Sequence, residues 1–390
     1  MPPRILILLF AAVAAAAQTR VDPDRVERLL GRAVVLDLHC DTTQMILDEG
    51  YNLAELHNYG QVDIPRLRRG HVSGIFLSIF TPASRPPLEA MRRALEEIDA
   101  VRRETKRHPA DLQLAATADE VLAAKKRGRI AILMGVEGGH MIDSNPAILR
   151  TYFQLGARYM TLTHSGHTPW ADSSGQPAVH NGLTDLGKEL VREMNRLGMM
   201  VDISHVADKT FWDVMEISTA AVIASHSSCR ALAKNARNMT DEMIQAVAKR
   251  GGVVHINYAE GFLDDDFAAR SRALRAERTR QGAGGERQPR TPEQHRANLE
   301  RVAKMGRIPL SRLLDHFEHA VKVAGVDHVG MGSDFDGVGD QLPEGMEDIS
   351  KTPNLVRGLM ERGFSDTDIE KILGGNTLRV MREVERAAQK

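Results

Sequence analysis

The amino-acid sequence predicts an α/β fold, and within that class a (β/α)8 barrel. Two observations support this prediction: eight short apolar runs recur along the chain, and segments of helical periodicity separate them. Near-continuous apolar runs are typical of parallel strands that are buried on both faces. An eightfold alternation of strand and helix favours a barrel, which often forms one domain of about 250 residues or more. The eight runs cover residues 33–38, 72–80, 129–136, 157–163, 199–204, 220–225, 252–257 and 328–333.

The segments between the runs repeat their apolar residues with the period of a helix. Thr184 and Thr240 are each followed by an aspartate, and threonine commonly caps a helix N-terminus. An open, doubly wound sheet is the alternative arrangement, but no glycine-rich phosphate loop follows the first run. The clearest helical segments cover residues 87–105, 184–197, 207–217, 240–250 and 311–324.

We expect residues 19–390 to form one catalytic barrel domain with a charged helical insertion at about residues 264–310. The insertion lies between the seventh run and its helix and includes the sequence QGAGGERQPRTP. A loop at that place leaves the C-terminal face of a barrel, which is the face that carries active sites. The segment is either a solvated helical insertion or a lid or subunit contact that restricts access to that face.

Residues 1–18 have the pattern of a secretory signal peptide. Arg4 is followed by an apolar stretch and then by a run of alanines that offers small residues for cleavage. The stretch is marginal as a membrane span, which takes about 20 apolar residues. We therefore expect an exported protein, periplasmic or extracellular, without a stable membrane anchor in the mature chain.

The net charge and the cysteine content narrow the class of protein further. A formal net charge of −1 gives no electrostatic footprint for nucleic acid. The two cysteines, Cys40 and Cys229, cannot form a disulfide framework. Burial of apolar side chains must therefore stabilise the fold.

Residues that can bind a metal or transfer a proton stand at the ends of six of the eight predicted strands. Because the carboxyl ends of all barrel strands meet at one face, these side chains are expected to converge there. The first strand leads to His39 and Asp41, and the last leads to Asp334 and Asp336. Four other strands contribute one residue each: Glu137, His164, His205 and His226.

The spacing of these residues predicts a centre for two metal ions. His39 and Asp41 are two residues apart, so on an extended strand their side chains project to the same side and can bind one ion together. His205 and His226 end neighbouring strands, about 4.8 Å apart, and can bind a second ion. Glu137 can bridge two ions about 3.5–4 Å apart through its two carboxylate oxygens. Imidazole and carboxylate ligands without thiolate favour zinc, with manganese and cobalt as alternatives.

Six stretches around these residues are long enough to be specific: DLHCDT, GVEGGH, LTHSGHTPWAD, DISHV, SHSSCRAL with KNARN, and HVGMGSDFDG. Together they resemble the renal (membrane) dipeptidase family of di-zinc peptidases. The resemblance runs from about residue 33 to residue 385 and keeps the order of the motifs throughout. The chain departs from the family pattern at Cys40, at His167 and in the 264–310 insertion, which leaves the metal ligands in place and bears on substrate preference.

The resemblance implies a (β/α)8 barrel of the metal-dependent hydrolase type. It further implies that the protein hydrolyses dipeptides with two zinc ions per chain and a metal-bound hydroxide as the nucleophile. It makes His39 and Asp41 ligands of one zinc, His205 and His226 ligands of the other, and Glu137 the bridge.

The resemblance also assigns three residues that act on the substrate. His164 would contact the scissile carbonyl side of the substrate, and Arg237 would bind its terminal carboxylate. Asp334 would be the proton shuttle, although Asp336 suits either that task or the binding of backbone amides in a tight turn. A homodimer is implied by the resemblance alone.

Two other functions are compatible with the sequence. Another barrel metallohydrolase, such as an amidohydrolase or a lactonase, commonly bridges its metals with a carboxylated lysine at the end of strand four. This chain has Thr163 and His164 there. A secreted binding homologue without catalysis would be supported by the loss of a ligand, and no expected position is missing.

Overall fold

The computed structural model describes residues 21–280 and 289–388, so the predicted signal peptide lies outside the described residues. Each of the eight predicted runs overlaps a strand of the structure. A ninth, shorter strand was not predicted. The strands in the described residues are β1 (Leu36–Cys40), β2 (Gly74–Phe80), β3 (Leu112–Leu114), β4 (Ile130–Glu137), β5 (Ala157–Thr161), β6 (Met200–Asp202), β7 (Val222–Ala224), β8 (Val253–Ile256) and β9 (Val329–Met331).

Eight of these strands follow one another in the order β1-β2-β4-β5-β6-β7-β8-β9, and every pair is parallel. Hydrogen bonds between the ends of β1 and β9 bring the first and last strands together. The Asp41 amide donates to the Phe335 carbonyl over 2.8 Å, and the Asp334 amide donates to the His39 carbonyl over 3.1 Å. The result is a nearly closed barrel, which confirms the predicted fold class.

The unpredicted strand β3 lies outside this path. It pairs with the first half of β4, while β5 pairs with the second half. With three residues, of which only Leu112 is fully buried, it lacks the apolar run by which the other strands are recognised.

Helices occupy the connections between the strands, as a barrel requires. The five predicted helical segments correspond to the helices Pro87–Arg107, Asp185–Leu197, Asp208–Ile217, Asp241–Lys249 and Leu310–Ala324. The predicted caps are confirmed, since the Thr184 hydroxyl accepts from the Gly187 amide and the Thr240 hydroxyl accepts from the Met243 amide. The described residues contain α1 (Pro23–Arg32), α2 (Thr42–Asp48), α3 (Ile64–Arg69), α4 (Pro87–Arg107), α5 (Ala118–Lys126), α6 (Pro146–Leu155), α7 (Asp185–Leu197), α8 (Asp208–Ile217), α9 (Asp241–Lys249), α10 (Glu260–Leu263), α11 (Asp265–Arg280), α12 (Pro292–Met305), α13 (Leu310–Ala324), α14 (Thr352–Glu361), α15 (Asp366–Glu370) and α16 (Asn376–Ala387). Within the described ranges, no helix combines the length and the apolar character needed to cross a bilayer.

The segment predicted as an insertion contributes α11 and α12. Helix α12 is bonded to segments that follow β1 and β9: His295 Nε2 lies 2.7 Å from Glu49 Oε2, and Asn298 Nδ2 donates to Asp340 Oδ2 over 2.5 Å. These bonds connect α12 to the segments that leave the carboxyl ends of β1 and β9.

Buried apolar side chains form two clusters. The larger one joins the strands to the surrounding helices. The smaller one includes alternate strand residues such as Ala131 and Leu133 of β4, together with Leu378 and Met381 of α16. Because alternate residues of a barrel strand point inward, α16 packs against the interior of the barrel. Both cysteines are buried and unpaired.

Candidate metal centre

The residues predicted at the strand ends lie together at the carboxyl end of the barrel. His39 belongs to β1, and Glu137 is the last residue of β4. The others follow their strands within three residues: Asp41, His164, His205, His226 and Asp334. In three sets, potential ligand atoms all lie within 4.8 Å of one another: His39, Glu137 and His226; Glu137, His164 and His205; and His39, Asp41 and Asp334.

Glu137 is at the centre of this cluster. Its Oε1 atom lies 3.1 Å from His205 Nε2, 3.4 Å from His226 Nε2 and 3.5 Å from His39 Nε2. The Nε2 atom of His164 follows at 3.8 Å. The four imidazoles belong to four different strand ends, so barrel closure is what brings them to one carboxylate.

The separations between these atoms, 2.9–3.8 Å, are those of ligands that share metal ions. His39 Nε2 is buried without a hydrogen-bond partner in the described residues, and it lies 3.6 Å from Asp41 Oδ2. His205 Nε2 and His226 Nε2 face each other at 2.9 Å. Ligand atoms around a tetrahedral zinc, with bonds of about 2.0–2.1 Å, are about 3.3 Å apart. The residues present therefore fit divalent ions bound through nitrogen and oxygen.

The protonation states of most of the cluster also suit metal binding. Burial lowers the pKa of His226 to about 3, and it lowers the pKa of His205 well below its ordinary value. Burial alone would raise the pKa of Glu137, but His39 and His164 outweigh it and hold that pKa well below the usual range. Neutral imidazole and ionised carboxylate are the forms that bind metals. His39 is the exception: burial alone would lower its pKa, but Tyr159 and Glu137 outweigh burial and raise that pKa well above the ordinary value, so an ion must displace a proton there.

Two of the candidate ligands are held by hydroxyl groups that the sequence did not reveal. Tyr159 Oη lies 2.8 Å from His39 Nδ1 and donates to the Leu38 carbonyl over 3.2 Å. Tyr159 therefore accepts from His39 Nδ1–H, which leaves the Nε2 lone pair of His39 able to bind an ion. Ser78 Oγ donates to Asp41 Oδ1 and leaves Oδ2 toward His39. Both hydroxyls lie inside predicted strands, where single polar groups within an apolar run give no signal of a functional role.

Asp334 lies at the edge of the cluster and has its own hydrogen-bond donor. Asn257, just beyond β8, donates from Nδ2 to Asp334 Oδ2 over 2.8 Å. Burial, with the nearby carboxylates of Asp41 and Glu137, raises the pKa of Asp334 to about 8. A carboxyl group with such a pKa can hold or release a proton near neutral pH. Asn257 ends the seventh apolar run, but it was not predicted as a site residue, because asparagine is neither an acid nor a common zinc ligand.

Arg237 lies beside the cluster with part of its guanidinium group unpaired. Its Nη2 donates to the His226 carbonyl over 3.1 Å, while Nε and Nη1 are buried and have no hydrogen-bond partner in the described residues. The group also lies over the Phe262 ring, 5.4 Å from its centroid. Arg237 and His205 line one small cavity. Unpaired donors on a planar guanidinium fit a carboxylate.

The sequence matches a known protein family over nearly its whole length. The family model of the membrane dipeptidases, peptidase family M19, matches residues 23–390. Dipeptidase 3 of Mus musculus is 36% identical over 336 residues, which are 85% of this chain and 59% of that protein. The chain thus spans about three fifths of the length of this curated relative.

Two solved structures have the same architecture. The probable dipeptidase PvdM from Pseudomonas aeruginosa superposes with a TM-score of 0.82 at 26% identity, covering 94% of this chain and 99% of that one. A metallopeptidase described as dipeptidase AC superposes with a TM-score of 0.75 at 26% identity, covering 90% and 98%. With a family match over nearly the whole chain and relatives named as dipeptidases, the protein belongs to the membrane dipeptidase family, peptidase family M19.

Proposed function

We propose that the protein is a metallopeptidase that hydrolyses dipeptides with two divalent ions, zinc by preference. The convergence of four imidazole nitrogens on Glu137 Oε1 carries this proposal. His39 and Asp41 would bind one ion, His205 and His226 would bind the other, and Glu137 would bridge them. The relatives named as dipeptidases support the same activity.

When bound, two such ions acidify a shared water and polarise a carbonyl oxygen. The side chains of the protein then orient the peptide and move protons. His164 has 22% of its side chain exposed and its Nε2 lies 3.8 Å from Glu137 Oε1, so it borders both the centre and the solvent. Negative charge develops on the carbonyl oxygen during hydrolysis, and an N–H of His164 can donate to that oxygen.

Asp334 is the proton carrier of this proposal. Its carboxyl group lies with His39 and Asp41 at the edge of the centre, where it can accept a proton from the attacking water and pass it to the leaving amine. Asn257 occupies Oδ2 through its amide group, so Oδ1 is the oxygen available for the transferred proton.

Arg237 would bind the free carboxylate at the end of the substrate. Its buried, unpaired Nε and Nη1 atoms require a partner, because buried donors without one cost stability. A terminal carboxylate one residue beyond the scissile bond would supply that partner. This contact favours dipeptides over long chains, in which the same position carries an amide.

The rival functions have less support. The carboxylate available to bridge two ions is that of Glu137. Thr163 and His164 follow β5, the fourth strand of the barrel, where a carboxylated lysine would be expected. That composition does not favour an amidohydrolase or lactonase with a carboxylated lysine. An inactive binding homologue is also less well supported, because ligands, proton carrier and carboxylate-binding arginine are all retained.

Export and assembly are further parts of the proposal. Residues 1–18 have a signal-peptide pattern, which would place the mature protein in the periplasm or outside the cell. A homodimer is proposed from family resemblance alone. Secretion of a tagged full-length chain, and the mass of the mature protein in solution, test these two points separately.

The test of the main proposal is metal content measured together with hydrolysis of a dipeptide panel, on protein without residues 1–18. We expect about two zinc ions per chain, and activity that a chelator abolishes and zinc restores. A Glu137→Gln variant tests the bridge, because it keeps the size of the side chain and removes its charge. It should bind less zinc than the parent protein. Absence of stoichiometric metal after zinc is supplied would contradict the proposal. Two ions with hydrolysis of lactones but not of dipeptides would favour the rival metallohydrolase.

A further inference from the structure

The hydrogen bonds behind the ligands differ between the two candidate metal positions. At one position, the Nδ1 atom of His39 pairs with the phenol of Tyr159, whose proton goes to a backbone carbonyl. At the other, the Nδ1 atom of His226 lies 2.7 Å from Ser225 Oγ, which donates to Asp202 Oδ2 over 2.6 Å. The first chain of bonds ends in a neutral group, and the second ends in a carboxylate.

Asp202, the last residue of β6, is fully buried. Its Oδ1 atom accepts from the amides of Ser204 and Ser225, at 3.0 and 2.8 Å. Its Oδ2 atom accepts from the hydroxyls of Ser225 and Thr161, at 2.6 and 2.5 Å. These four donors fill the lone-pair positions of a carboxylate, and all four are neutral groups.

A buried carboxylate that is hydrogen-bonded to neutral donors still needs a positive charge nearby to offset its desolvation. The guanidinium of Arg237 already interacts with the charge of Asp202, and a divalent ion on His226, two hydrogen bonds away from Asp202, would be a second and larger charge. A carboxylate that receives the N–H of a metal-bound imidazole, here through a hydroxyl, fixes the ring and increases its basicity. His205 has no such support, since its Nδ1 atom is buried without a partner in the described residues.

From this asymmetry we propose that Asp202 and Ser225 act as an outer relay that supports the ion bound by His205 and His226 and leaves the other ion unaffected. The inference rests on the proposed metal centre and adds positioning residues to it. The two hydrogen bonds run in sequence: His226 Nδ1–H donates to Ser225 Oγ, and Ser225 Oγ–H donates to Asp202 Oδ2. Loss of the Ser225 hydroxyl breaks the link while Asp202 keeps its other three donors.

A purely structural role is the competing account, because Asp202 also connects three strands. It receives bonds from Thr161 at the end of β5 and from Ser225 just after β7. A structural role would affect the stability of the metal-free protein and both ions alike. A relay would affect one ion, and a hydroxyl at position 225 would be sufficient to restore it.

The experiment is a zinc titration of metal-free protein in competition with a chelating indicator, with the thermal midpoint of each metal-free form recorded alongside. The variants are Ser225→Ala, Ser225→Thr and Asp202→Asn. The matched control is Ser228→Ala, which removes a buried hydroxyl that donates to the Asn257 carbonyl outside the relay. We expect Ser225→Ala and Asp202→Asn to weaken one of the two ions by roughly 10–100-fold. Ser225→Thr and Ser228→Ala should bind both ions as the parent protein does.

Three results would overturn the relay. Unchanged affinity for both ions in Ser225→Ala would refute it and leave the proposed function intact. Equal weakening of both ions, together with a lower thermal midpoint of the metal-free protein, would assign Asp202 and Ser225 a structural role. Failure of the parent protein to bind zinc would refute the proposed function and the relay together.

Discussion

Asp334 and Asp336 have the same side chain and similar backbone angles, with φ of 63° and 64°, yet they face different surroundings. Asp336 accepts from the Gln61 amide over 2.8 Å and from the Thr42 hydroxyl over 2.5 Å, so it fastens the segments that follow β1. Asp334 instead faces the candidate ligands and accepts from Asn257. The two-residue spacing in the sequence could not separate these tasks, because the difference lies in partners from distant parts of the chain.

Replacement of Asp334 by asparagine tests its proton transfer. Asparagine keeps the shape of the side chain but cannot carry the proton, so we expect kcat to fall by roughly 10²–10⁴-fold with both metals retained. Asp336→Asn is the control, and it should change the free energy of unfolding more than it changes turnover. Steady-state kinetics and metal analysis on the same samples measure both effects. Near-normal turnover in Asp334→Asn would rule out the assigned role.

Replacement of Arg237 by alanine tests the carboxylate contact. Hydrogen bonds to charged groups contribute about 1.5–3 kcal/mol each, so kcat/KM for free dipeptides should fall roughly 10–100-fold. Dipeptides with an amidated carboxyl end should change little, because they lack the charge that Arg237 would bind. The metal content must be measured as well, since Arg237 also donates to the His226 carbonyl. An equal loss on both substrate types would mean that the arginine does not recognise the carboxylate.

At the scale of the elements, the contact between β4 and β5 connects packing to the site. Gly135 in β4 leaves the space that the Tyr159 ring of β5 occupies, and a Cβ atom at Gly135 would lie 1.9 Å from Tyr159 Cζ. The same ring carries the hydroxyl that holds His39. Gly135, the first glycine of GVEGG, therefore positions the metal ligand His39 indirectly, because it leaves room for the Tyr159 ring.

Gly135→Ala should destabilise the protein and disturb metal binding together. Overpacking of a core typically costs about 1–3 kcal/mol in the free energy of unfolding, and displacement of Tyr159 should also weaken zinc affinity. Gly31→Ala in α1 is the matched control. No atom lies within 4 Å of its added methyl group, and alanine is favoured over glycine in a helix. Chemical denaturation measures both variants, and an unchanged free energy of unfolding in Gly135→Ala would contradict this view of the β4–β5 contact.

The accuracy of the sequence prediction depends on how each element is buried. Strands such as β2 and β4, with every or nearly every residue buried, have long apolar runs and were predicted to within a few residues. Strand β3 has three residues, two of them half-buried, and its pairing with β4 arises from tertiary contact rather than from a local pattern. The caps at Thr184 and Thr240 were predictable because capping depends on neighbouring residues alone.

Some residues of the candidate site could likewise be predicted from the sequence, and others could not. The residues at the strand ends could be identified because topology alone brings such positions together. Tyr159, Ser78 and Ser225 lie within or directly after apolar strands, and their roles depend on which strand is adjacent and on how its residues are aligned. No pattern along the chain contains that information, so these supporting groups emerge from the three-dimensional arrangement.

On the scale of the whole molecule, the metal centre and the hydrophobic core occupy different parts of the barrel. The candidate ligands lie at the carboxyl ends of the strands, while Leu378 and Met381 of α16 pack against the barrel-interior cluster. Most of the apolar burial therefore does not depend on the ions. This separation distinguishes the protein from small zinc domains, which are unfolded without their metal.

Chelation should consequently lower the thermal midpoint without unfolding the protein at room temperature. An ion that binds only the folded state adds about 4 kcal/mol of stability at a free concentration 1,000 times its Kd. Its removal also leaves the buried carboxylates of Asp41 and Glu137 with the neighbouring histidines, rather than a divalent ion, to offset their charge. Calorimetry and far-UV circular dichroism of chelated and zinc-loaded samples measure the two effects, with Glu137→Gln expected to gain less from added zinc. An identical thermal midpoint with and without zinc would mean that zinc bound to the cluster does not stabilise the fold. Loss of the far-UV signal at room temperature after chelation would mean that the barrel itself depends on the ions.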